Sequence, residues 1–482
     1  MTTQEQIHIT IIGGGITGLS AAYALQKEAE EKNIDLTYSL LEKSGRWGGK
    51  IKTETVEGFG DTPFVVEGGP DSFLTQKPWA AQMARELGIG DQFLPTNDDR
   101  RQTFVLNKGK PAKLPDGLML IVPTKIRPFA LSRLISPLGK LRMGLDWFIK
   151  PKMDDEDETL AQFIKRRLGN EALDKIAEPL LSGIYNADAE MQSMIATFPR
   201  FRQIEQKHGS LTKGMLAAQK ARKQAPPNPN GKPSMFTSFK PGMEELVLTI
   251  REQLTGDCRL GVGVEKLERM ENGDWRLGLS DGSSLETHAV ILATPAFAAA
   301  ELLAEVAPQA SETLCQIRYV STGTISLAYK QDEIEHPLNG FGIVIPKSEK
   351  RRINAITWSS TKFDHRAPDG HVLLRVFFGG SRTPEMMSVA DDELFAIVKS
   401  ELADIMGVQA EPLFHRIYRW DRSNPQYDVG HLDRVAVIQE KLPDGLVVTG
   451  SPYGGVGVPD CVRQARETAV SLIQSLIFAP EI

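Results

Sequence analysis

Hydrophobic positions near the start of the chain follow the order strand, turn, helix and strand. The apolar run IHITII at 7–12 leads into a glycine-rich turn, and the segment LSAAYALQKEA after it has the spacing of a helix. A second apolar run, LTYSLLEK, ends next to Glu42. Strands that alternate with helices in this way predict an α/β unit.

The rest of the chain changes its periodicity twice. Residues 158–185 have helical spacing, whereas 255–295 and 320–380 consist mainly of short alternating strands. A polar loop rich in Pro, Asn and Lys is predicted at 219–234, and a last strand at 445–450 precedes a second glycine-rich loop and a helix. A chain of 482 residues is longer than a single hydrophobic core usually accommodates, so we predict an α/β and α+β multidomain protein.

Composition narrows the class of protein. Hydrophobic residues make up 41% and charged residues 24% of the chain, and the net charge of −6 argues against a general nucleic-acid binder. The three cysteines are widely spaced, so we expect neither a disulfide framework nor a metal site. We find no signal-peptide pattern, and the best apolar run, at 117–123, is too short to span a bilayer. These features predict a cytoplasmic protein.

The glycines of the first turn have the spacing of a dinucleotide-binding loop. Gly13 permits a tight turn, Gly15 lets the backbone approach a pyrophosphate, and Gly18 lets the helix pack on the strand. The helix N-terminus attracts phosphate. Glu42 lies 24 residues after Gly18, near the spacing of an acid that binds ribose hydroxyls. We therefore predict a dinucleotide at this turn.

A second phosphate-binding element follows Glu42 within a few residues. Gly48 and Gly49 allow the backbone to pass close to a phosphate, and Arg46 offers a charge to offset it. This arrangement resembles the RxGG element of the flavin-dependent amine oxidase superfamily. The later glycine-rich loop opens a helix near 458–461, whose positive end would stabilise an anionic reduced isoalloxazine. A capped surface helix is the alternative explanation.

A strongly basic segment stands out in this acidic chain. Residues 100–152 contain twelve Lys or Arg against two Asp, interleaved with apolar side chains. Such a segment could attract anionic lipid or steer a polycarboxylate substrate. Helices with solvated basic faces would give the same pattern.

Further motifs together resemble the bacterial oxygen-dependent protoporphyrinogen/coproporphyrinogen III oxidases, the HemY-type enzymes of haem synthesis. The resemblance runs nearly end to end. The motifs are EGGPDSFLTQKP (67–78), EPLLSGIYNAD (178–188), ATFPRF (196–201), HAVILATPA (288–296), GFGIVIP (340–346) and GSPYGGVGVPDCV (450–462).

The resemblance implies three domains. A Rossmann-like FAD-binding domain is expected from 1–60, 232–299 and 436–482. A mixed-sheet substrate domain is expected from 61–94, 199–231 and 300–435. A helical domain, which faces a membrane or a partner in some relatives, is expected from 95–198.

The resemblance also implies noncovalent FAD and a set of binding residues. Residues expected to bind the cofactor are Gly13, Gly15, Ile16, Thr17, Gly18, Glu42, Lys43, Arg46, Gly48, Gly49, Gly68, Gly69, Pro70, Asp71, Val264, Thr294, Gly450, Gly457, Val458 and Pro459. Residues expected to line the substrate cavity are Lys77, Ile184, Tyr185, Thr357 and Trp358, with Lys77 meeting a propionate. The pattern indicates no acid, base or other catalytic residue.

The implied reaction is oxidation of coproporphyrinogen III to coproporphyrin III by molecular oxygen, with hydrogen peroxide as the second product. Protoporphyrinogen IX is the alternative substrate; the four propionates of coproporphyrinogen suit the basic segment better. An amine or polyene oxidase of the same superfamily and a noncatalytic flavin- or porphyrin-binding protein are further alternatives. Expected partners are the porphyrinogen, oxygen, and either a membrane surface met peripherally or a downstream enzyme of haem synthesis.

Overall fold

The computed structural model describes residues 6–119, 121–224 and 234–477. Its strands, in chain order, are β1 (Ile7–Ile12), β2 (Leu36–Glu42), β3 (Thr53–Val56), β4 (Phe64–Glu67), β5 (Phe73–Leu74), β6 (Phe93–Pro95), β7 (Thr103–Asn107), β8 (Lys110–Lys113), β9 (Leu118–Met119), β10 (Val122–Pro123), β11 (Phe236–Phe239), β12 (Asp257–Leu260), β13 (Val264–Arg269), β14 (Trp275–Leu279), β15 (Ser284–Thr287), β16 (Ala289–Leu292), β17 (Tyr319–Lys330), β18 (Gly342–Val344), β19 (Ala355–Trp358), β20 (His371–Gly379), β21 (Phe414–Pro425) and β22 (Leu446–Val448).

The α-helices vary from single turns to twenty residues. In chain order they are α1 (Ile16–Lys32), α2 (Trp79–Glu86), α3 (Ile126–Leu131), α4 (Pro137–Gly144), α5 (Leu160–Arg167), α6 (Asn170–Ala172), α7 (Gly183–Tyr185), α8 (Met194–Thr197), α9 (Pro199–His208), α10 (Leu211–Gln224), α11 (Glu244–Gln253), α12 (Ala296–Leu303), α13 (Pro308–Cys315), α14 (Ser359–Lys362), α15 (Asp391–Met406), α16 (His431–Glu440) and α17 (Val458–Ile477). A π-helical segment, Leu173–Ser182, connects α6 to α7.

A five-stranded parallel sheet of order β12-β2-β1-β16-β22 lies at the centre of the first core. Ile9 and Ile11 of β1 pack toward α1 and α17 on one face, and Ile12 packs toward α12 and α13 on the other. Both faces are buried, which explains why β1 is a nearly continuous apolar run. The sheet takes its strands from three distant parts of the chain, each within a range expected for the FAD-binding domain.

A seven-stranded mixed sheet of order β21-β17-β20-β19-β18-β7-β8 forms the second core. Neighbouring strands are antiparallel except β7 and β18, which run parallel. Apolar side chains on one face of the sheet pack against Leu394, Val398 and Leu402 of α15. The opposite face carries Arg375, which reaches toward the first core.

The third core is helical and includes side chains of α5, α9 and α10. A buried ionic cluster lies within it, where Arg167 contacts both Asp146 and Glu205. α9 and α10 therefore belong with the helices, and the predicted border that put 199–231 in the substrate domain is wrong. Likewise, β7 and β8 pair into the mixed sheet, although they fall within 95–198, the range expected for the helical domain.

The predicted fold class of several α/β and mixed α+β parts is confirmed. α10 continues to Gln224, so the predicted polar loop at 219–234 begins as helix, and 225–233 lie outside the described residues. Over the three described ranges, no helix is both long and apolar enough to cross a membrane.

Candidate functional site

The first glycine loop and the Gly48–Gly49 turn lie side by side. The Gly48 amide donates to the Gly14 carbonyl at 2.8 Å, and a β-bridge joins Gly15 to Gly48. A Cβ atom at Gly18 would lie only 1.8 Å from the Gly13 carbonyl oxygen, so the entry into α1 requires glycine there. The two predicted phosphate-binding elements thus form one continuous backbone surface.

Glu42 closes one end of this surface. Its carboxylate accepts hydrogen bonds from the Gly14 amide at 2.6 Å and the Ser44 amide at 2.8 Å. An ionised carboxylate has about four acceptor positions, so two amides leave capacity for ribose hydroxyls. The Lys43 side chain borders the turn that leads into Val264, so these two predicted cofactor-binding residues lie at the same end.

Arg46 makes contacts within the protein that the sequence did not indicate, and its predicted part in offsetting phosphate charge stays a prediction. Its guanidinium donates to the carbonyl oxygens of Gly49 and Ile51 and to Glu244, at 3.0 Å for the carboxylate. These contacts fix the Gly48–Gly49 turn from behind. The structure therefore assigns Arg46 to stabilising the turn, because its guanidinium contacts carbonyls and a carboxylate of the protein.

The surface fits a dinucleotide pyrophosphate. A Cβ built at Gly15 would meet no described atom within 4 Å, so the backbone there faces open space in front of α1. The buried Thr294 hydroxyl, beside Gly13, has no hydrogen-bond partner among the described residues. A Cβ at Gly450 would lie 3.0 Å from the Thr17 hydroxyl, which brings the C-terminal loop to the same place. These residues offer amide and hydroxyl donors suited to phosphate.

The mixed sheet holds the segment 68–71 against the first core. Arg375 donates to the Gly69 carbonyl at 2.6 Å, and the Lys362 ammonium binds Asp71 at 2.8 Å. Burial alone would raise the pKa of Asp71, but Lys362 and Arg375 hold it below its usual range. A Cβ at Gly69 would lie 1.8 Å from the Lys50 carbonyl oxygen, so this approach also requires glycine.

The C-terminal loop ends where α17 begins, at Val458, which agrees with the predicted helix start. Pro459 stands in the first turn, where a missing N–H is tolerated. The Tyr427 hydroxyl holds the loop from within, since it donates to the Ser451 carbonyl at 2.6 Å and accepts from the Gly455 amide at 2.8 Å. Gly457, the last residue of the loop, directly precedes the helix.

Two predicted substrate residues, Lys77 and Tyr185, lie near Asp460 in the first turn of α17. The Lys77 ammonium contacts both carboxylate oxygens of Asp460, at 2.7 and 2.6 Å. The Tyr185 ring lies 5.6 Å from the Tyr427 ring, and its pKa is raised by burial and by the charge of Asp460. The side chain of Ile184 lies outside the described part of the chain.

Thr357 and Trp358 do not line one cavity. They are neighbours on β19, so their side chains point to opposite faces of the sheet. Thr357 pairs with Arg375 on the face toward the first core, whereas Trp358 is 1% exposed and packs on the other face with Phe104 and His336. The expectation for Trp358 is therefore wrong, and Thr357 remains a prediction.

Lys50 and Arg375 were missed by the sequence analysis. Lys50 is exposed, yet protein surrounds it closely enough to lower the pKa of its ammonium, so it faces an internal cleft. Its ammonium donates to the Ser423 carbonyl. The local sequence does not indicate that Lys50 faces a cleft, although Lys50 directly follows the glycine pair. Arg375 left a clear signal: it is the single charged residue within the apolar run VLLRVFF.

Comparison with known proteins identifies the fold and cofactor class. The sequence pattern of the flavin containing amine oxidoreductases matches residues 16–473. The chain belongs to this family. A flavin is thus its cofactor, as predicted from the glycine loops, and the chain is an oxidoreductase.

Relatives match over nearly the whole chain. The coproporphyrinogen III oxidase of Bacillus subtilis (strain 168) is 35% identical over 98% of this chain and 99% of its own length. The chloroplastic protoporphyrinogen oxidase of Nicotiana tabacum is 29% identical over 96% of this chain and 85% of its own. The solved structure of a proposed protoporphyrinogen oxidase from Exiguobacterium sp. 255-15 superposes with a TM-score of 0.85 at 30% identity, over 98% of this chain and 99% of that one. The resemblance to the porphyrinogen oxidases is confirmed.

Proposed function

We propose that the chain catalyses the FAD- and oxygen-dependent oxidation of coproporphyrinogen III to coproporphyrin III, with release of hydrogen peroxide. The observation that carries the proposal is the match to coproporphyrinogen III oxidases over the full length, 35% identical in one case. The surface formed by the first glycine loop, the Gly48–Gly49 turn and the C-terminal glycine-rich loop supports it, because this surface gives a flavin a defined place. Protoporphyrinogen IX remains the alternative substrate, since the plant relatives carry that name.

We place the cofactor along the continuous glycine surface. Its adenosine lies at the end of Glu42, Lys43 and Val264, and its pyrophosphate lies before Gly15. The isoalloxazine then lies between the segment 68–71 and the start of α17, where the first core meets the mixed sheet. When bound, FAD accepts hydride from the substrate and passes the electrons to oxygen.

The contribution of the protein is to position the substrate and to exclude side reactions. Formation of an aromatic macrocycle is a strong driving force, so correct orientation is worth more than a strong acid or base. Arg375 fixes the carbonyl of Gly69 and thereby the segment on which we place the flavin. Tyr185, from α7, packs against Tyr427 and narrows the cleft beside Asp460.

Lys77 supplies a contact for a propionate. An ammonium has three N–H donors, and Asp460 takes two of them through its two oxygens. The Lys77 side chain is 41% exposed, so the third donor can reach a carboxylate in the cleft. A substrate with four propionates offers more such contacts than one with two, which favours coproporphyrinogen III.

The test compares the two substrates directly. Each porphyrinogen is mixed anaerobically with the purified protein, oxygen is admitted, and porphyrin fluorescence and peroxide are followed together. We expect faster conversion of coproporphyrinogen III, with three peroxides for each porphyrin because six hydrogens are removed. Flavin-stripped protein serves as the control for spontaneous oxidation. A yellow, folded protein that converts neither substrate would contradict the proposal, and preference for protoporphyrinogen IX would support the alternative.

We further propose that the enzyme is cytoplasmic and that it touches an anionic membrane through the surface of the helices that form the third core. An apolar patch projects there, with side chains 43–79% exposed: Leu131, Leu138, Leu141, Leu145, Trp147, Phe148 and Met153. Exposed basic residues accompany the patch, namely Lys125, Arg127, Arg133 and Lys150. Apolar side chains among cations suit the interface of a bilayer with anionic lipids.

Sedimentation with vesicles tests this contact. We expect binding to vesicles with phosphatidylglycerol, weaker binding at high salt, and little binding to phosphatidylcholine alone. Leu141→Asp with Phe148→Asp should abolish it, whereas Leu248→Asp, at an exposed apolar position in α11, should not. Equal sedimentation of all three proteins would contradict the proposal.

A further inference from the structure

Lys77 and Asp460 form an ion pair that joins two distant parts of the chain. Lys77 comes from the turn after β5, and Asp460 from the first turn of α17. The ammonium contacts both carboxylate oxygens at 2.7 and 2.6 Å. Asp460 is 7% exposed, so most of its contact is with protein. Such a carboxylate needs its partner, because an unpaired buried charge is unfavourable.

The carboxylate of Asp460 lies directly beneath the C-terminal glycine loop. A Cβ at Gly455 would lie 2.6 Å from its Cγ, and a Cβ at Gly457 would lie 3.1 Å from Oδ2. Gly455, whose φ is +126°, therefore needs to be glycine for the side chain to fit there, and a side chain at Gly457 would crowd the carboxylate. The charge thus lies between the C-terminal loop and the start of α17, the helix end beside which we place the isoalloxazine.

Charges at this helix end act on any group in front of it. The end of a long helix carries about half a positive charge, and an ionised Asp460 carries a full negative one. Alone, the carboxylate would reverse the sign of this end and oppose formation of an anionic reduced flavin. Lys77 cancels the carboxylate and leaves the positive field of the helix in place. Tyr185, Tyr427 and Cys461 also face Asp460, and none of them supplies a positive charge.

We propose that Lys77 acts through Asp460 as a positioning residue that raises the reduction potential of the flavin. The inference rests on the cofactor placement proposed above, and it adds a role for Lys77 that needs no substrate. Lys77 holds the carboxylate and neutralises it, and the helix end then stabilises negative charge on the reduced ring.

A double-mutant cycle on the FAD-loaded protein tests this role. The reduction potential is measured anaerobically against a reference dye, without any porphyrinogen. We expect Lys77→Met to lower the equilibrium constant for two-electron reduction about tenfold, which corresponds to about 30 mV. Asp460→Asn should shift it in the opposite direction. The double variant should return close to the wild-type potential, because both charges are then absent.

Matched variants make the outcome specific. Lys77→Arg keeps the charge and should keep the potential. Arg466→Met removes a cation that pairs with Glu86 at 3.1 Å farther along α17 and should change nothing. If Lys77→Met loses FAD, the reduction potential of Asp460→Asn still tests the inference, because the inference requires that this variant have a higher potential than the wild type.

Two results would overturn the inference. One is an unchanged potential in Lys77→Met, with only the KM for coproporphyrinogen III raised. The other is a double variant whose potential stays as low as that of Lys77→Met, because removal of the Asp460 charge would then restore nothing. Because no porphyrinogen enters the measurement, failure of the proposed substrate would not be confused with failure of this inference.

Discussion

Replacement of Gly15 by Asp separates cofactor binding from folding. Gly15 has a φ of −71° and a ψ of 177°, which any residue can adopt, and a Cβ there would meet no described atom within 4 Å. The free protein should therefore tolerate the change, with its free energy of unfolding altered by about 0.5 kcal/mol or less. Gly18 is unsuitable for this test, because a Cβ there would collide with the Gly13 carbonyl.

The loss in affinity follows from electrostatics. A carboxylate about 4 Å from one phosphate charge is repelled by about 4 kcal/mol at an effective dielectric constant of about 20. Since about 1.4 kcal/mol equals tenfold in affinity, the dissociation constant of FAD should rise about 1,000-fold. Titration of the apoprotein with FAD, followed by flavin fluorescence, measures it, and urea unfolding of the apoprotein checks the fold.

Gly45→Asp provides the matched control. It adds the same charge in the turn after Glu42, at an exposed position where a Cβ would meet no described atom within 4 Å. Its effect on FAD affinity should be small, because water screens the charge. Wild-type affinity in Gly15→Asp would refute the placement of the pyrophosphate at this loop, and a less stable apoprotein would refute the reasoning about local space.

Three further predictions concern single side chains. Burial raises the pKa of Glu67 to about 7, so the folded state favours its neutral form; the resulting stability is complete below pH 4.5 and is lost as the pH rises through 7. Urea unfolding should show the free energy of the wild type falling by about 2–3 kcal/mol relative to Glu67→Gln between pH 5 and 8, and parallel curves would contradict this. Lys50→Met should weaken FAD binding in the same titration at least about tenfold by removing a cation from the cleft, whereas Lys52→Met should not. Tyr427→Phe breaks both hydrogen bonds to the C-terminal loop, so the free energy of unfolding should fall by about 1–3 kcal/mol, and an unchanged value would show that the loop is held by other contacts.

The sequence was most informative where the chemistry is local. Gly13, Gly15 and Gly18 lie within one turn between a strand and a helix, so spacing alone predicted the turn and the close helix entry at Gly18, while their contacts with the cofactor stay a prediction. The start of α17 was predicted for the same reason. The prediction for Trp358 failed because the sequence does not say which face of β19 each side chain takes. Its neighbour Thr357 lies on the same face as Arg375, whereas Trp358 lies in the second core.

Long-range pairing explains most of the remaining differences. β7 joins β18 across more than two hundred residues, and no local pattern indicates that partner. The environment of the Lys50 ammonium and the hydrogen-bond partners of Arg46 likewise depend on segments that meet only in the folded chain. Lys77 was predicted as a substrate contact, but its pairing with Asp460 joins two matched motifs far apart in sequence.

The five-stranded sheet has a consequence for synthesis on the ribosome. β1 and α1 emerge first, but β16 and β22 complete their sheet, and α17 covers α1 only after the last part of the chain has been translated. The nascent chain must therefore keep an apolar strand and helix without their final neighbours for most of its synthesis. Chains released early, before 446–477 are made, would leave the ribosome with the apolar face of α1 open to chaperones.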